Sequence, residues 1–371
     1  MKTSCRAWSK SRSDISHANM NYMTGLTQVA ITARKAIRYT IYVIIFLMVG
    51  KVLLDATIGI YKKIFPPAPP PPTVKFGTLT KIPFPNTNPD VKLSYVLETP
   101  EGGYPKLSTQ AKVYFMPKVN PTLLALDFAK EKARALRFTS EPQQMSDTVY
   151  RFTNPEVPST FEINIVTGVF SISYDLIADR TPLSVKPPAS EIAAAQFRSA
   201  LSAANILPED LTGPTSNDFF KLSDGTLKSA LSLSEADVTK VNLYRKSYDE
   251  LPALTADPNE ANVWAIISGS TDRGKQIVAS EYHYFPVDES QFSTYPIKTP
   301  EAAFGELSAG QAFITNLGLA KTGDTLKIRR IYLAYFDPEA PTDFFQPIFV
   351  FEGDNGFAAY VPAVTADYYG E

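Results

Sequence analysis

Cysteine and histidine are almost absent from this sequence. Cys5 is the one cysteine, and the part of the chain after residue 73 contains a single histidine, His283. The missing thiols exclude disulfide bonds and thiolate zinc sites from that part. A serine triad would depend on His283 alone, and no G-x-S-x-G motif accompanies it. We therefore expect no enzyme activity, no catalytic residue, no cofactor and no metal site.

Two local patterns have features of functional sites. The stretch GSTDRGKQ (Gly269–Gln276) fits G-x4-G-K, but glutamine stands where a magnesium-binding hydroxyl is needed, and a strand-like segment follows instead of a helix. We interpret it as a turn between strands. Glu281 and His283 would share a sheet face and could form at most a weak metal pair. The acidic pairs Glu209-Asp210 and Asp249-Glu250 lie in turn-like sequence, which predicts solvated surface.

Charge is divided unevenly along the chain. Residues 1–38 carry a net charge of +6, residues 39–73 carry +2, and the remainder carries -10. A basic segment and an acidic body on opposite sides of an apolar run are typical of a membrane-anchored protein, and the acidic body argues against nucleic acid as a partner.

The apolar run at residues 39–61 predicts one transmembrane helix. As a helix it would rise about 35 Å, enough for a hydrocarbon core of about 30 Å. The bases before it place residues 1–38 in the cytosol and the body outside the cell membrane. Lys51, Asp55 and Gly59 lie on one face of this helix. Either the two charges pair with each other and snorkel, or the face contacts a second membrane helix, from a copy of this chain or a partner.

Proline dominates the next segment. PPAPPPP (Pro66–Pro72) cannot form a hydrogen-bonded ladder and predicts a polyproline II spacer within a stalk over residues 62–80. A ligand for a proline-recognition domain is the less favoured interpretation.

Beyond the stalk, helical and strand-like segments recur in one order, which predicts an α+β fold. In the first group, Asn120 caps a helix from Pro121 to Leu136. Its predicted apolar face contains Leu124, Phe128 and Leu136 with Ala125 and Ala129. Each of the three groups is a helix followed by an antiparallel three-stranded meander, with hairpin turns at Thr167-Gly168 and Asp354–Gly356. The predicted strands are Thr148–Phe152, Thr160–Val166 and Val169–Leu176, then Val238–Arg245, Val263–Ser268 and Lys275–Phe285, and finally Thr325–Phe336, Gln346–Glu352 and Gly356–Val364.

This grouping predicts two extracytoplasmic domains. The first covers residues 81–182. The second covers residues 186–371 and divides into parts of about 186–297 and 298–371, whose helices are Pro188–Ala204 and Pro300–Leu307.

A helix followed by FEINIVTGVFSISYD resembles the PepSY-type unit, whose strands carry a Thr-Gly hairpin at the same place. The last third, with AAFGELSAG, IRRIYLAYFDP, FQPIFVFEG and AAYVPAV, resembles the C-terminal part of YycH/YycI-type proteins. Those are bacterial single-pass proteins whose extracytoplasmic body modulates a membrane sensor kinase. The resemblance supplies no catalytic residue and does not account for the proline segment.

We therefore expect a non-enzymatic, single-pass membrane protein whose body binds or regulates a protein partner, such as a sensor kinase or envelope complex. The alternative is an envelope protein that recognises glycan or peptide through exposed aromatic strands. An unrecognised hydrolase is a third hypothesis. The candidate aromatic binding face comprises five strand tyrosines: Tyr282, Tyr284, Tyr332, Tyr335 and Tyr360.

Overall fold

The computed structural model describes residues 13–64, 70–85, 91–118, 120 and 122–370. These fall into two compact units that divide after Pro71. The first unit contains helix α1 (Ser13–Ile64). The second unit, from Pro72 onward, is a mixed α+β body made mostly of sheets.

Helix α1 includes an apolar stretch from Val29 to Tyr61 in which no residue is buried. Its 33 residues have a mean hydropathy of 2.2 and rise about 50 Å as a helix, so the stretch is long and apolar enough to cross a membrane. The predicted span at residues 39–61 lies within it. A signal sequence near the start of a chain has the same character. Most of the predicted proline spacer, Pro66–Pro69, lies outside the described residues.

The described part of the body contains four helices and eighteen strands. The helices are α2 (Ala125–Ala135), α3 (Ser190–Ala203), α4 (Arg273–Gln276) and α5 (Pro300–Ser308). The strands are β1 (Ser94–Leu97), β2 (Gln110–Phe115), β3 (Gln143–Gln144), β4 (Val149–Thr153), β5 (Ser159–Asn164), β6 (Phe170–Tyr174), β7 (Thr215–Ser223), β8 (Thr226–Ala230), β9 (Val238–Leu243), β10 (Ala253–Leu254), β11 (Val263–Ile267), β12 (Ile277–Tyr282), β13 (Asp288–Pro296), β14 (Phe313–Asn316), β15 (Thr325–Phe336), β16 (Phe344–Phe345), β17 (Pro347–Gly353) and β18 (Ala358–Pro362).

The largest sheet has nine strands in the order β3-β4-β5-β6-β12-β11-β9-β7-β8. Its neighbouring strands are all antiparallel. Helices α2 and α3 contribute Ala129, Ala133, Phe197 and Leu201 to the core cluster that this sheet buries. Strand β6 of the predicted domain 81–182 pairs with β12 of the predicted domain 186–371. The nine-stranded sheet therefore continues across the predicted boundary at residues 182–186.

A second sheet follows the order β1-β15-β17-β18-β14, and β10 also pairs with β15. Helix α5 packs on it through Ala303 and Leu307. A third, three-stranded sheet has the order β13-β2-β16.

The nine predicted strands are present, and each predicted meander forms antiparallel neighbours. The predicted hairpin turns use left-handed backbone at Gly168 (φ 77°), Asn355 (φ 58°) and Gly356 (φ 81°). Asparagine and glycine tolerate this conformation best.

The predicted apolar face of the first body helix is confirmed in part. Ala125 and Ala129 are buried together with Ala133, whereas Leu124 and Phe128 are wrong, because they are 56% and 51% exposed. Alanine lets the helix backbone approach the sheet closely, which the larger side chains would prevent. The helix begins at Ala125 without a side-chain cap, so Asn120 does not cap it; Pro121 lies outside the described residues.

The segment after the prolines belongs to the body. Thr73 donates its N–H to the Thr294 hydroxyl (2.9 Å), and Leu79 is 1% exposed and bridges to Tyr369. Residues 73–80 of the predicted stalk are therefore fixed on the body, because their main chain and side chains bond and pack there.

Candidate binding cleft

A cleft of about 840 Å³ lies in the body beside strand β15. Strand β2, the segment before it, and the turn that leads into β10 form its other walls. Leu107, Ala111, Leu251, Pro252, Leu254, Leu333 and Tyr335 make the apolar part of the lining, and Lys106, Ser108, Gln110, Lys112, Asp249, Glu250, Thr294, Arg330 and Tyr332 make the polar part. Its size and mixed lining suit a ligand such as a peptide segment.

A two-residue turn stands at the mouth of the cleft. Tyr248 and Leu251 exchange two main-chain hydrogen bonds of 2.9 Å, and the residues between them, Asp249 and Glu250, both have left-handed backbone (φ 48° and 64°). This conformation costs about 1 kcal/mol or more at each non-glycine residue. Strain of this kind is retained where the surroundings hold it in place.

Strand β2 holds this turn. Lys112 forms an ion pair with the Asp249 carboxylate (2.6 Å), and the Tyr114 hydroxyl donates a hydrogen bond to the same carboxylate (2.8 Å). Burial, and then the hydrogen bond to Asp249, raise the pKa of Tyr114 well above its ordinary value, so the phenol stays protonated as a donor. The turn is thus pinned to the opposite wall of the cleft.

A buried charged group supports the turn from behind; we call Arg245, Asp210, Asp337 and Tyr248 the Arg245 cluster. Arg245 Nε donates to Asp337 Oδ1 (2.8 Å), and Nη1 donates to Asp210 Oδ2 (2.5 Å). Arg245 Nη2 donates to the carbonyl of Phe285 (2.6 Å), and the Tyr248 hydroxyl donates to Asp210 (2.7 Å). Arg245 follows β9 and Asp337 follows β15, so this ion pair joins the two larger sheets.

The charge of Arg245 is maintained by its partners. Burial alone would lower the pKa of Arg245, but the attraction of Asp337 and Asp210 outweighs it and raises that pKa. Asp210 was predicted to be solvated, and that prediction is wrong, because it is 8% exposed and accepts bonds from Arg245, Tyr248 and Tyr284. Asp249 and Glu250 are exposed as predicted.

The opposite rim of the cleft is basic. Arg330 forms an ion pair with Glu352 (3.0 Å) and lies over the ring of Tyr332, yet its side chain is 65% exposed. Lys106 is also exposed, and no ion pair involves it among the described residues. A ligand at this rim would meet a guanidinium and an ammonium group.

The predicted aromatic face is wrong as a surface. Tyr335 and Tyr360 have no exposed area, Tyr282 is 7% exposed, and Tyr284 and Tyr332 are half-buried. Strand tyrosines here fill the core, as their β propensity and large apolar area favour. Only Tyr332 and Tyr335 of the five line the cleft.

Lys51, Asp55 and Gly59 lie on the exposed surface of α1. They are spaced four residues apart, so the structure brings them onto one helical face as predicted. No ion pair joins Lys51 to Asp55 among the residues that the structure describes.

His283 with Glu281, and the GSTDRGKQ stretch, form local contacts only. His283 Nε2 lies 3.2 Å from Glu281, in a pocket of about 210 Å³ that is separate from the cleft, and the described residues contain no group of three metal ligands. Lys275 bonds to Asp179 and Thr181, and α4 is a single turn before strand β12. The GSTDRGKQ stretch therefore connects two antiparallel strands, as predicted.

The cleft itself was not predicted. The turn-like sequence around Asp249 was recognised, but the partners Lys112 and Tyr114 are more than 130 residues distant in the chain. Strands β1 and β10, which lie along the same edge of β15, are short and carry no clear periodicity.

Comparison with known proteins leaves the family open. No family model matches this chain, and no curated protein matches it. Among solved structures, the chain is similar to an uncharacterized protein from Eubacterium rectale ATCC 33656, at 12% identity over 76% of this chain and 90% of that chain. The TM-score of 0.39 is too low to carry an argument about fold or function. The resemblance to PepSY-type and YycH/YycI-type proteins stays a prediction.

Proposed function

We propose that this chain is a single-pass membrane protein that binds or regulates a protein partner and is not an enzyme. In this proposal residues 1–38 lie in the cytosol and the body lies outside the membrane. The observation that carries it is the 840 Å³ cleft in a body that follows a membrane-length helix. The cleft is lined by leucine, tyrosine and paired charges, which is a lining suited to holding a peptide chain.

The order of helices and strands in the body supports the resemblance to PepSY-type units. The proposed kind of partner rests on the resemblance to YycH/YycI-type proteins. Helix α2 precedes β4–β6, α3 precedes β9, β11 and β12, and α5 precedes β15, β17 and β18. We propose that these are three related PepSY-like units, and that the partner is a membrane sensor kinase or envelope complex, as in YycH/YycI-type proteins.

We further propose that Lys51, Asp55 and Gly59 contact another membrane helix. The three residues share one exposed face of α1, and charges in hydrocarbon are stabilised by partners. The variant with both Lys51→Leu and Asp55→Leu should lose association within the membrane. If every partner interaction persists in that variant, this part of the proposal is wrong.

Photo-crosslinking tests the proposed function. Benzoylphenylalanine is placed at Ser108, which lines the cleft, or at Ser184, an exposed serine outside the lining, in the full chain in its native membranes. Irradiation should join one protein to position 108 and not to position 184, as identified by mass spectrometry. Equal yields at both positions, or no protein adduct at position 108, would contradict a partner-binding cleft.

A capture experiment separates the two contact sites. Full-length chain and a chain that begins at Thr73 are each used to capture proteins from solubilised membranes. A partner held by both chains binds the body, whereas a partner held only by the full-length chain requires α1.

A further inference from the structure

The edge of β15 that faces the cleft is only partly covered by strands. Strand β1 pairs with β15 from Thr325 to Ile328, and β10 pairs with it at Tyr335 and Phe336, both in parallel. No described strand pairs with residues 329–334 on that side. Six strand residues span about 20 Å, the length of a short added strand.

The hydrogen-bonding directions along β15 follow from the bonds at its end. Phe336 donates its N–H to Gln346, on the β17 side, whereas Tyr335 donates its N–H to Pro252, on the β10 side. Main-chain groups alternate in direction along a strand. The N–H and C=O groups of Ile331 and Leu333 therefore face the same edge as Tyr335, toward the cleft.

No strand in the described part of the body pairs with these groups. Among the described residues, no loop or side chain hydrogen-bonds to the main chain of Ile331 or Leu333 on that side. The two residues are 6% and 5% exposed and belong to the core, so unpaired main-chain groups there are costly unless the cleft supplies a partner.

We propose that the open edge of β15 receives an extended segment of the protein partner as an added strand, between β1 and β10. This deepens the proposed function and rests on it. The segment would accept and donate main-chain hydrogen bonds at Ile331 and Leu333. It would complete the row of strands that β1 and β10 begin.

The two faces of β15 define the side chains of that segment. Ile331 and Leu333 share a face whose core cluster includes Leu107, Ala111 and Leu251, so alternate residues of the segment meet an apolar wall. Arg330 and Tyr332 share the other face. The Tyr332 hydroxyl donates to Glu352, and the Arg330 guanidinium, which pairs with Glu352 through Nη1, is 65% exposed and presents its other N–H groups. The segment is therefore one in which apolar residues alternate with acidic or amide residues.

A peptide selection provides the test. Eight-residue peptides with apolar residues at alternate positions and any residue between them are selected against the full chain in nanodiscs. Enriched peptides are then N-methylated at one residue at a time. Methylation should weaken binding about tenfold at positions that face the edge and hardly at all at alternate positions, because only one set of amides pairs with β15.

Hydrogen exchange, and a variant with a larger side chain in the cleft, test the same proposal independently. Bound peptide should slow exchange at the amides of Ile331 and Leu333. Ser108→Trp, which places an indole in the cleft, should abolish binding, and the matched exposed variant Ser184→Trp should not. Tolerance of N-methylation at every position, protection elsewhere, or a library without any peptide sensitive to Ser108→Trp overturns strand addition. Crosslinking from position 108 would still report on the proposed function by itself.

Discussion

Three oxygen atoms accept hydrogen bonds from the Arg245 guanidinium, whose side chain is 1% exposed. Two of them belong to carboxylates that have almost no contact with water. A buried charge of this kind adds little net stability relative to an apolar core, but removing one partner leaves the others uncompensated. The same cluster holds Tyr248, so it also fixes the turn at the cleft mouth.

Arg245→Met should lower the free energy of unfolding by about 3–5 kcal/mol, because Asp210 and Asp337 are left buried and unpaired. Denaturant unfolding of the full chain in micelles, followed by tryptophan fluorescence, measures it. Arg330→Met is the matched control: its ion pair with Glu352 is exposed, and its loss should cost about 1 kcal/mol or less. Equal effects of the two changes would contradict the role given to the Arg245 cluster.

His283 should titrate above its ordinary pKa of about 6.5. The hydrogen bond with Glu281 favours the imidazolium form and raises the pKa, while burial opposes it. A raised folded-state pKa gives stability that is full below about 6.5 and is lost as pH rises through the folded pKa. NMR titration of the His283 ring checks the direction, and Glu281→Gln should bring the pKa down. A wild-type pKa at or below the ordinary value would be incompatible with this pair.

At the scale of elements, strands and helices differ in how well the sequence predicts them. Strands β15 (Thr325–Phe336) and β6 (Phe170–Tyr174) have a clear alternation of apolar residues and local turn signals, so their pairing with neighbouring strands can be predicted from the sequence. Strand β1 pairs with residues more than 220 positions away and has four residues, so nothing local specifies it. Helix α2 and the turn before it carry leucine and phenylalanine beside a stripe of alanines. The alanines are the buried residues, because the helix packs closely on the sheet.

The cleft follows the same rule. Its walls come from β2, the Asp249-Glu250 turn, β10 and β15, which are brought together by tertiary contacts alone. Only β15 and the turn-like character of Asp249-Glu250 were predictable, so the site could not be assembled from sequence patterns.

Two glycines of the body, Gly213 and Gly305, differ in the space around them. Gly213 lies against the main chain of Arg245, whereas Gly305 is a helix position with open space beside it. At Gly213 an added Cβ would lie 2.0 Å from the Arg245 carbonyl oxygen, whereas at Gly305, inside α5, it would contact nothing within 4 Å. Gly213→Ala should therefore destabilise the body markedly. Gly305→Ala should stabilise it by about 0.5–1 kcal/mol, because alanine favours helix. The melting temperatures of both variants measure these effects. A Gly213→Ala variant as stable as the wild type would contradict the close approach at Gly213.

Amide exchange along β15 should alternate in the absence of any ligand. Tyr332 and Ala334 pair with β17 and should exchange slowly, whereas Ile331 and Leu333 face the cleft and should exchange faster. Residue-resolved hydrogen exchange by mass spectrometry measures this. Uniform protection from 330 to 335 would show that the edge is already paired.

At the scale of the whole molecule, the sole cysteine reports the proposed topology. An impermeant maleimide added to intact cells should leave Cys5 unlabelled and should label Ser184→Cys in a Cys5→Ser background, because the two positions are proposed to lie on opposite sides of the membrane. Permeabilised cells are the control and should label both. Labelling of Cys5 in intact cells would contradict a cytosolic location for residues 1–38. If the mature protein lacks these residues, the segment is a cleaved signal sequence.

The way the chain enters the body has a mechanical consequence. Leu79 donates its N–H to Tyr368 and accepts one from Gly370, and Ile82 donates its N–H to the Tyr369 hydroxyl. Thr73 and Val74 bond in turn to Thr294. Any tension that reaches the body through Thr73 is therefore shared between β13 and residues 368–370 before it loads the core. Residues at both ends of the body's sequence would therefore take up such tension together, along with β13 of the three-stranded sheet.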